Sequence, residues 1–421
     1  MSIICGTDLS HASQGALDVA RALAAQRGDR EVVLVHVVDG EPGDAELAEL
    51  RARLVIHASA GTGPSVRVEL VVGPPDEVLV GFAETCGSDL LIIAARSRDE
   101  RSASRLGTTA ASVIARTHIP VIAVRDPAPW LAFASGARPL KILLGIDDSA
   151  TCDLGVQWTL ALGTRGPIDV VLGAIYYPDD AAAYYGLPAQ GPVDADPEIE
   201  RLMQRDLIRR FAGSAASVSP RITARARRGL GRIGDHMIEL ADEEHVDAII
   251  VGTGQKTGLG RLGSVSSVIV EDARQSVVCV PPQTVVITQT VPVLQQALVA
   301  TDLSQFANRA VPYAFALTQP GGEVHLLHVV KEDDNAELDE AELLRNLGAL
   351  TPAGATQQVR THIVRGDDTA TTIAQCAARF GVDVICIASH GRSGITRALV
   401  GSVADRLLRV TRLPVLVLRP A

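Results

Sequence analysis

Short apolar runs alternate along this chain with longer stretches whose apolar residues recur at helical spacing. The runs predict buried strands and the stretches amphipathic helices. Three runs end in an acidic residue, over residues 3–8, 142–147 and 297–302. The first and third continue identically as Thr-Asp-Leu-Ser (Thr7 to Ser10, Thr301 to Ser304), and the second as Asp147-Asp148-Ser149. Second strands are predicted over 33–38, 170–174 and 326–330, with third strands ending near Gly73, Gly229 and Gly366. Fourth strands fall at 89–94, 247–252 and 383–388. Each is followed by Gly and then Thr or Ser (Gly107-Thr108, Gly263-Ser264, Gly401-Ser402) and by a β-rich closing run at 120–124, 276–280 or 414–418.

The spacing makes this a repeat. From the strand-end Asp to the Gly of Gly-Thr/Ser is 99 residues in the first copy (8 to 107) and 99 in the third (302 to 401). The second takes 116 (147 to 263), and its excess lies before the third strand, where Asp147 to Gly229 spans 82 residues against 65 and 64. The extra residues are a Pro/Gly/Asp-rich insert over 176–197 that holds Tyr176, Tyr177, Tyr184 and Tyr185. The expected domains are 1–126, 139–282 and 293–421, with linkers at 126–139, where Pro127, Pro129 and Gly136 break any pattern, and around 281–292. Strand–helix alternation within each copy predicts an α/β fold of three tandem, doubly wound, mostly parallel five-stranded sheets. Ligands of such sheets bind at the carboxyl ends of the strands, where strand order reverses.

Composition agrees with buried parallel sheets: 47% of the 421 residues are apolar but only 3% aromatic, so Val, Ile, Leu and Ala must fill the interior. A net charge of −10 with no dense Lys/Arg block argues against nucleic acid as a partner. The six cysteines are scattered singly, which indicates neither a zinc site nor a disulfide framework. No apolar run approaches membrane-spanning length, and the first residues read as a strand instead of a signal peptide, so a cytoplasmic protein without a membrane partner is expected.

The chemistry concentrates at Ala388-Ser389-His390-Gly391-Arg392-Ser393-Gly394 and the later Gly401-Ser402. A strand, a glycine-bearing loop and a helix start form a phosphate cradle, because N–H groups at a helix start have no intrahelical partners and the dipole there favours an anion. An ordinary strand-to-helix turn explains the same residues equally well. Ser149, Ser264 and Ser402 read as helix caps, and His390 either touches a phosphate or is a solvated loop histidine. Two G-x-G-x-x-G stretches, from Gly229 to Gly234 and from Gly258 to Gly263, follow the third and fourth strands of their copy. A dinucleotide fold needs that motif after the first strand, so these are turns. No Walker A sequence and no metal-binding spacing occurs.

With the threefold repeat and Ala388-x-x-Gly391-x9-Gly401-Ser402 together, the chain resembles a tandem member of the universal stress protein family, whose nucleotide-binding branch carries G-x-x-G-x9-G-S/T after the fourth strand. The resemblance implies ATP, with Mg2+ as an optional companion, its phosphates on Gly391, Gly401, Ser402 and the neighbouring Ala388, His390, Arg392 and Val403. The adenosine end would lie near Thr301, Asp302 and the backbone of His328, Val329 and Val330. Departures grade the copies. The first has Ala94 and Ser97 where glycines are expected. The second keeps Gly252 and Gly263-Ser264 beside Asp147 but has Gln255, and runs 16 residues from Asp247 to Gly263 against 18 elsewhere. The third is therefore the best nucleotide site, the second a doubtful one and the first the most degenerate.

The resulting expectation is an adenine-nucleotide-binding protein with a regulatory, partner-mediated role in stress. A slow ATPase and a nucleotide-independent scaffold are the alternatives, and no residue is assigned a catalytic role. The insert, leaving the second strand, is expected at the ligand rim as a contact surface. The apolar closing strands are expected to pair, first with second inside the chain and third with its twin in a homodimer.

Overall fold

The computed structural model describes residues 2–96, 106–147, 150–188, 195–212, 220–253, 264–282, 284, 293–331, 339–389 and 401–419. The first repeat runs β1 (Ile3–Gly6), α1 (His11–Arg27), β2 (Glu31–Val38), α2 (Asp44–Ser59), β3 (Ser65–Val72), α3 (Pro75–Thr85), β4 (Leu90–Ala94), α4 (Thr108–Arg116) and β5 (Val121–Val124), followed by α5 (Ala128–Ala134). The second runs β6 (Leu140–Gly145), α6 (Ala150–Gly163), β7 (Ile168–Tyr176), α7 (Pro178–Tyr185), α8 (Pro197–Ala212), β8 (Arg221–Arg228), α9 (Ile233–Glu243), β9 (Ala248–Gly252), α10 (Ser264–Asp272) and β10 (Ser276–Val280). In the third come β11 (Gln296–Ala300), a short turn of 3-10 helix (Ala307–Arg309), α11 (Ala310–Leu317), β12 (Glu323–Val330), α12 (Glu340–Gly348), β13 (Gln358–Arg365), α13 (Thr369–Phe380), β14 (Val384–Ala388), α14 (Ser402–Val410) and β15 (Val415–Leu418).

The chain folds into two compact units, one of residues 1–176 and 207–290, the other of 177–206 and 291–421. In the first, ten strands form one sheet in the order β3-β2-β1-β4-β5-β10-β9-β6-β7-β8. Each half is parallel, and the halves join antiparallel at β5 and β10, with Val277 opposite Ala123 and Cys279 opposite Val121. The closing strands of the first two repeats thus pair inside the chain, as their apolar edges require. Arg125 fastens the seam: its N–H donates to Ser276 Oγ (3.1 Å) and its guanidinium to the Val270 carbonyl (2.9 Å). Apolar side chains from both halves, among them Leu91, Val121, Leu143, Ile249 and Val277, form one continuous buried cluster.

The linker at 126–139 is not the irregular stretch its prolines suggest. Pro127 and Pro129 sit at the start of α5, where proline's missing N–H costs no hydrogen bond and its fixed φ suits the helix. Trp130 and Phe133 on that helix are fully buried, so the segment is core.

In the second unit the five strands follow the same path, β13-β12-β11-β14-β15, all parallel. Strand order reverses between β11 and β14, which puts the switch point at their carboxyl ends. The insert also departs from expectation. It is not a rim loop: α7 and the first residues of α8 fold in this unit against α13, and Tyr176 and Tyr185 are buried, 3% exposed each. Aromatic area on an amphipathic helix pair is better buried than offered to water. Among the described residues no helix is long and apolar enough to cross a membrane.

Candidate functional site

In the third repeat the register sets Ala300 of β11 level with Leu327 of β12 and Ile387 of β14. Thr301, the first residue beyond β11, is therefore level with His328 of β12 and Ala388 of β14. Just beyond β11 the chain makes a tight turn. Leu303 takes a positive φ of 63°, a strained value for a branched side chain. Hydrogen bonds hold it there: Thr301 Oγ1 accepts from the Leu303 N–H (3.0 Å) and Asp302 Oδ1 from the Ser304 N–H (3.0 Å). The Thr301 hydroxyl itself donates to Asn308 Oδ1 (2.7 Å). His328 Nδ1 lies 2.8 Å from the Thr301 carbonyl. A carbonyl only accepts, so Nδ1 carries the proton and the ring is fixed on the turn.

Across the switch point, Ser389 follows β14 and is buried, its N–H donating to the Leu418 carbonyl (2.7 Å). Its own carbonyl accepts from the Gly401 N–H at 2.6 Å, so one backbone hydrogen bond clasps both ends of the loop between them. Gly401 then caps α14 with φ −58° and ψ 150° and no side-chain hydrogen bond. Ser402 is the first helical residue, exposed, and not the cap that its position suggests. Among the described residues no side chain caps the first N–H groups of α14, from Ser402 and Val403 onward, the condition an anion site at a helix start requires. His390, Gly391 and Arg392 lie outside the described residues.

The first repeat builds the same turn. Leu9 has φ 60°, Leu9 and Ser10 donate to Thr7 Oγ1 and Asp8 Oδ1 (3.0 Å each), and His36 Nδ1 lies 2.8 Å from the Thr7 carbonyl. Burial pushes the Asp8 carboxyl up, but hydrogen bonds from Ser10 and Ser13 outweigh it and hold the group below the usual carboxylate range. The clasp is present too, the Gly107 N–H donating to the Ala95 carbonyl at 3.0 Å. One addition sets this copy apart: His57 of α2 reaches Thr7 Oγ1 with Nε2 at 3.2 Å. The loss of loop glycines has left turn and clasp intact.

The second repeat differs at the turn itself. Hydrogen bonds from Thr7 to Val35, Ile146 to Gly173 and Thr301 to Leu327 align Ala174 with His36 and His328. No histidine can hold the turn there. Instead Arg210 of α8 donates to the Asp147 carbonyl and to Asp153 Oδ1 (2.7 Å). Gly252, a candidate for phosphate approach, has a packing reason: an added Cβ would stand 2.7 Å from the backbone of Thr151. Gly263 and the side chain of Ser264 lie outside the described residues. Gly234, in the rejected dinucleotide motif, likewise lets α9 meet α10, its would-be Cβ lying 2.7 Å from Val268.

Sequence reasoning named His328 only for its backbone. Its ring matters more, and the shared Leu-x-His-Val-Val pattern around His36 and His328 is the signal that could have shown it. Among the described residues no cluster of His, Cys, Asp or Glu could hold a metal ion.

With the geometry in place, the comparison with known proteins is direct. The model of the universal stress protein family matches residues 1–125, 140–281 and 294–419. The chain belongs to the universal stress protein family. A universal stress protein of Mycobacterium tuberculosis is 29% identical over 201 residues, which cover 44% of this chain and 64% of the relative. The chain thus spans less than two thirds of that relative's length. Universal stress protein G of Shigella flexneri is 28% identical over 134 residues, covering 27% of this chain and 90% of the relative. Among solved structures, a universal stress protein from Archaeoglobus fulgidus covers 66% of this chain and 97% of its own, at 14% identity and a TM-score of 0.49. Another universal stress protein was solved in complex with cAMP; it is 20% identical, covers 31% of this chain and 99% of its own, and has a TM-score of 0.26.

Proposed function

We propose that the third repeat binds an adenine nucleotide, ATP first among them, and that this universal stress protein acts through partners as a nucleotide-dependent regulator. One juxtaposition carries the reading: the His328-held turn of Thr301 and Asp302 stands at the same switch point as the clasped loop and uncapped start of α14. The α14 N–H groups from Ser402 and Val403, with Gly391, would take the phosphates. The turn and the backbone of residues 328–330 would take the adenosine. His390 and Arg392 lie outside the described residues, and hydrolysis forms no part of the proposal.

The second repeat is read as a structural copy, because Arg210 engages the Asp147 carbonyl and Gly252 serves helix packing. Assembly follows the edges. β5 and β10 are buried throughout and paired, whereas every residue of β15 is only partly buried. A second chain's β15 is the proposed partner, giving a homodimer. Calorimetric titration of the full chain with ATP, ADP and AMP tests the site. Asp302→Ala and Gly401→Val should each weaken ATP binding by about tenfold or more, roughly one charge-assisted contact or one blocked backbone approach. Undiminished binding in both variants, or no binding by the unaltered chain, would overturn the reading.

A further inference from the structure

We infer that α7 and the first turns of α8, up to Asp206, form a latch closed on the C-terminal end of α13, and that protonation of the buried His325–His362 pair opens it. The latch and its seat cap each other. Arg205 of α8 donates to the carbonyls of Ala378 (2.7 Å) and Arg379 (2.6 Å), the last turn of α13, where a cation suits both the orphan acceptors and the dipole. In return Gln375 and Arg379 of α13 donate to the carbonyls of Ala183 (3.1 Å) and Gly186 (2.5 Å) at the end of α7. Tyr185 and Leu202 bury themselves on Ala378, and the Tyr185 hydroxyl donates to Asp206 at 2.8 Å.

The residue after Arg379 joins this grip to the sheet. Phe380, the last residue of α13, stacks on His362 (ring centres 4.2 Å apart) and on His325 (5.0 Å), and His325 Nδ1 lies 3.0 Å from His362 Nε2. At that distance one proton is shared between two ring nitrogens, so the pair holds at most three ring protons. A fourth would set two N–H groups against each other. Even the third places a charge where His325 is 4% exposed and its Nε2 has no hydrogen-bond partner among the described residues. The charged groups around the pair do not welcome it. On β12 the nearest carboxylate, Glu323, stands 3.8 Å from His325 Nε2 but is paired with Arg360 of β13, and Arg360 itself opposes a further positive charge. On α13 the charged residue next in sequence to Phe380 is Arg379, which points to the end of α7. Across that helix stand Arg205, Asp206 and Tyr185 of the latch, whose hydroxyl burial and Asp206 keep protonated. Relief comes by moving the rings apart into water, which removes the seat of Phe380 and the turn that Arg205 and Arg379 grip.

Amide hydrogen exchange on the full-length protein tests this. Between about pH 7.5 and pH 5.0, after correction for intrinsic rates, residues 177–188 and 370–381 should lose protection together, by about tenfold or more, while β11 and β14 keep theirs. His325→Gln and His362→Gln should each abolish most of that response. Arg205→Ala, which leaves the histidines intact, should loosen 177–188 already at neutral pH. Unchanged protection of 177–188 at pH 5.0, or loss only in step with β11 and β14, would overturn the latch. So would an undiminished acid response in both Gln variants.

Discussion

Acid should weaken the second compact unit selectively, and the structure sets the size of the effect. Burial, with His362 and Arg360 beside it, pushes the His325 pKa from 6.5 down to about 4. His362 is lowered as well, by burial and by Arg360. A histidine with a depressed folded value prefers the fold neutral, so its contribution is complete above about pH 6.5 and is lost as pH falls toward 4. At about 1.4 kcal/mol per pH unit, the ceiling for His325 is about 3 kcal/mol, of which about 2 kcal/mol is gone by pH 5. Stacking of a protonated ring on Phe380 returns only about 0.5–1 kcal/mol and does not reverse the sign. Domains commonly have about 5–15 kcal/mol in total, so the shift is measurable. Urea unfolding of the full chain reads it out, because both tryptophans, Trp130 and Trp158, lie in the first unit and four of the five tyrosines in the second. The tyrosine-reported transition should move to lower urea at pH 5 and the tryptophan-reported one far less. Equal shifts in the two transitions, or a full shift in His325→Gln, would refute the reasoning.

Three further outcomes are expected. Gly252→Ala should destabilise the first unit by about 1–3 kcal/mol through overpacking on Thr151 and leave ATP binding by the full chain unchanged, read by calorimetry beside urea melts. Phe133→Ala should cost about 3–5 kcal/mol in the tryptophan-reported transition, whereas a true linker would lose almost nothing. Val417→Pro should convert a homodimer to a monomer in light scattering: the Pro414 and Leu418 carbonyls face β14, so the alternate residue 417 presents its N–H to the open edge.

Strand order, the threefold repeat and the pairing of β5 with β10 were legible because each follows from apolar periodicity and the need to cover an edge. The seat of the insert was not. Nothing in the run from Tyr176 to Pro197 says that Tyr185 will be buried against Ala378, almost two hundred residues away, because such packing is decided by tertiary fit. Helix α5 was hidden for a different reason. Prolines read as breakers, yet Pro127 and Pro129 occupy the first turn, the one helical position that tolerates them. The place of Asp302 just past a strand and of Gly401-Ser402 at a helix start was legible, while the contact of His328 needed the register that sets it beside Thr301.

That register also explains how three copies of one fold come to differ at the rim. The turn after each first strand exposes a carbonyl at the rim, and the neighbouring second strand decides what meets it. A histidine there, His36 or His328, holds the turn from within the sheet. Ala174 offers nothing to the matching Ile146 carbonyl, and Arg210 of α8 engages the next one, that of Asp147. The helix that seats Arg210 at Asp147 is the same one that carries Arg205 to α13. A histidine at position 174 would align with the Ile146 carbonyl and not with the Asp147 carbonyl that Arg210 engages, so Ala174→His tests the turn without touching that contact.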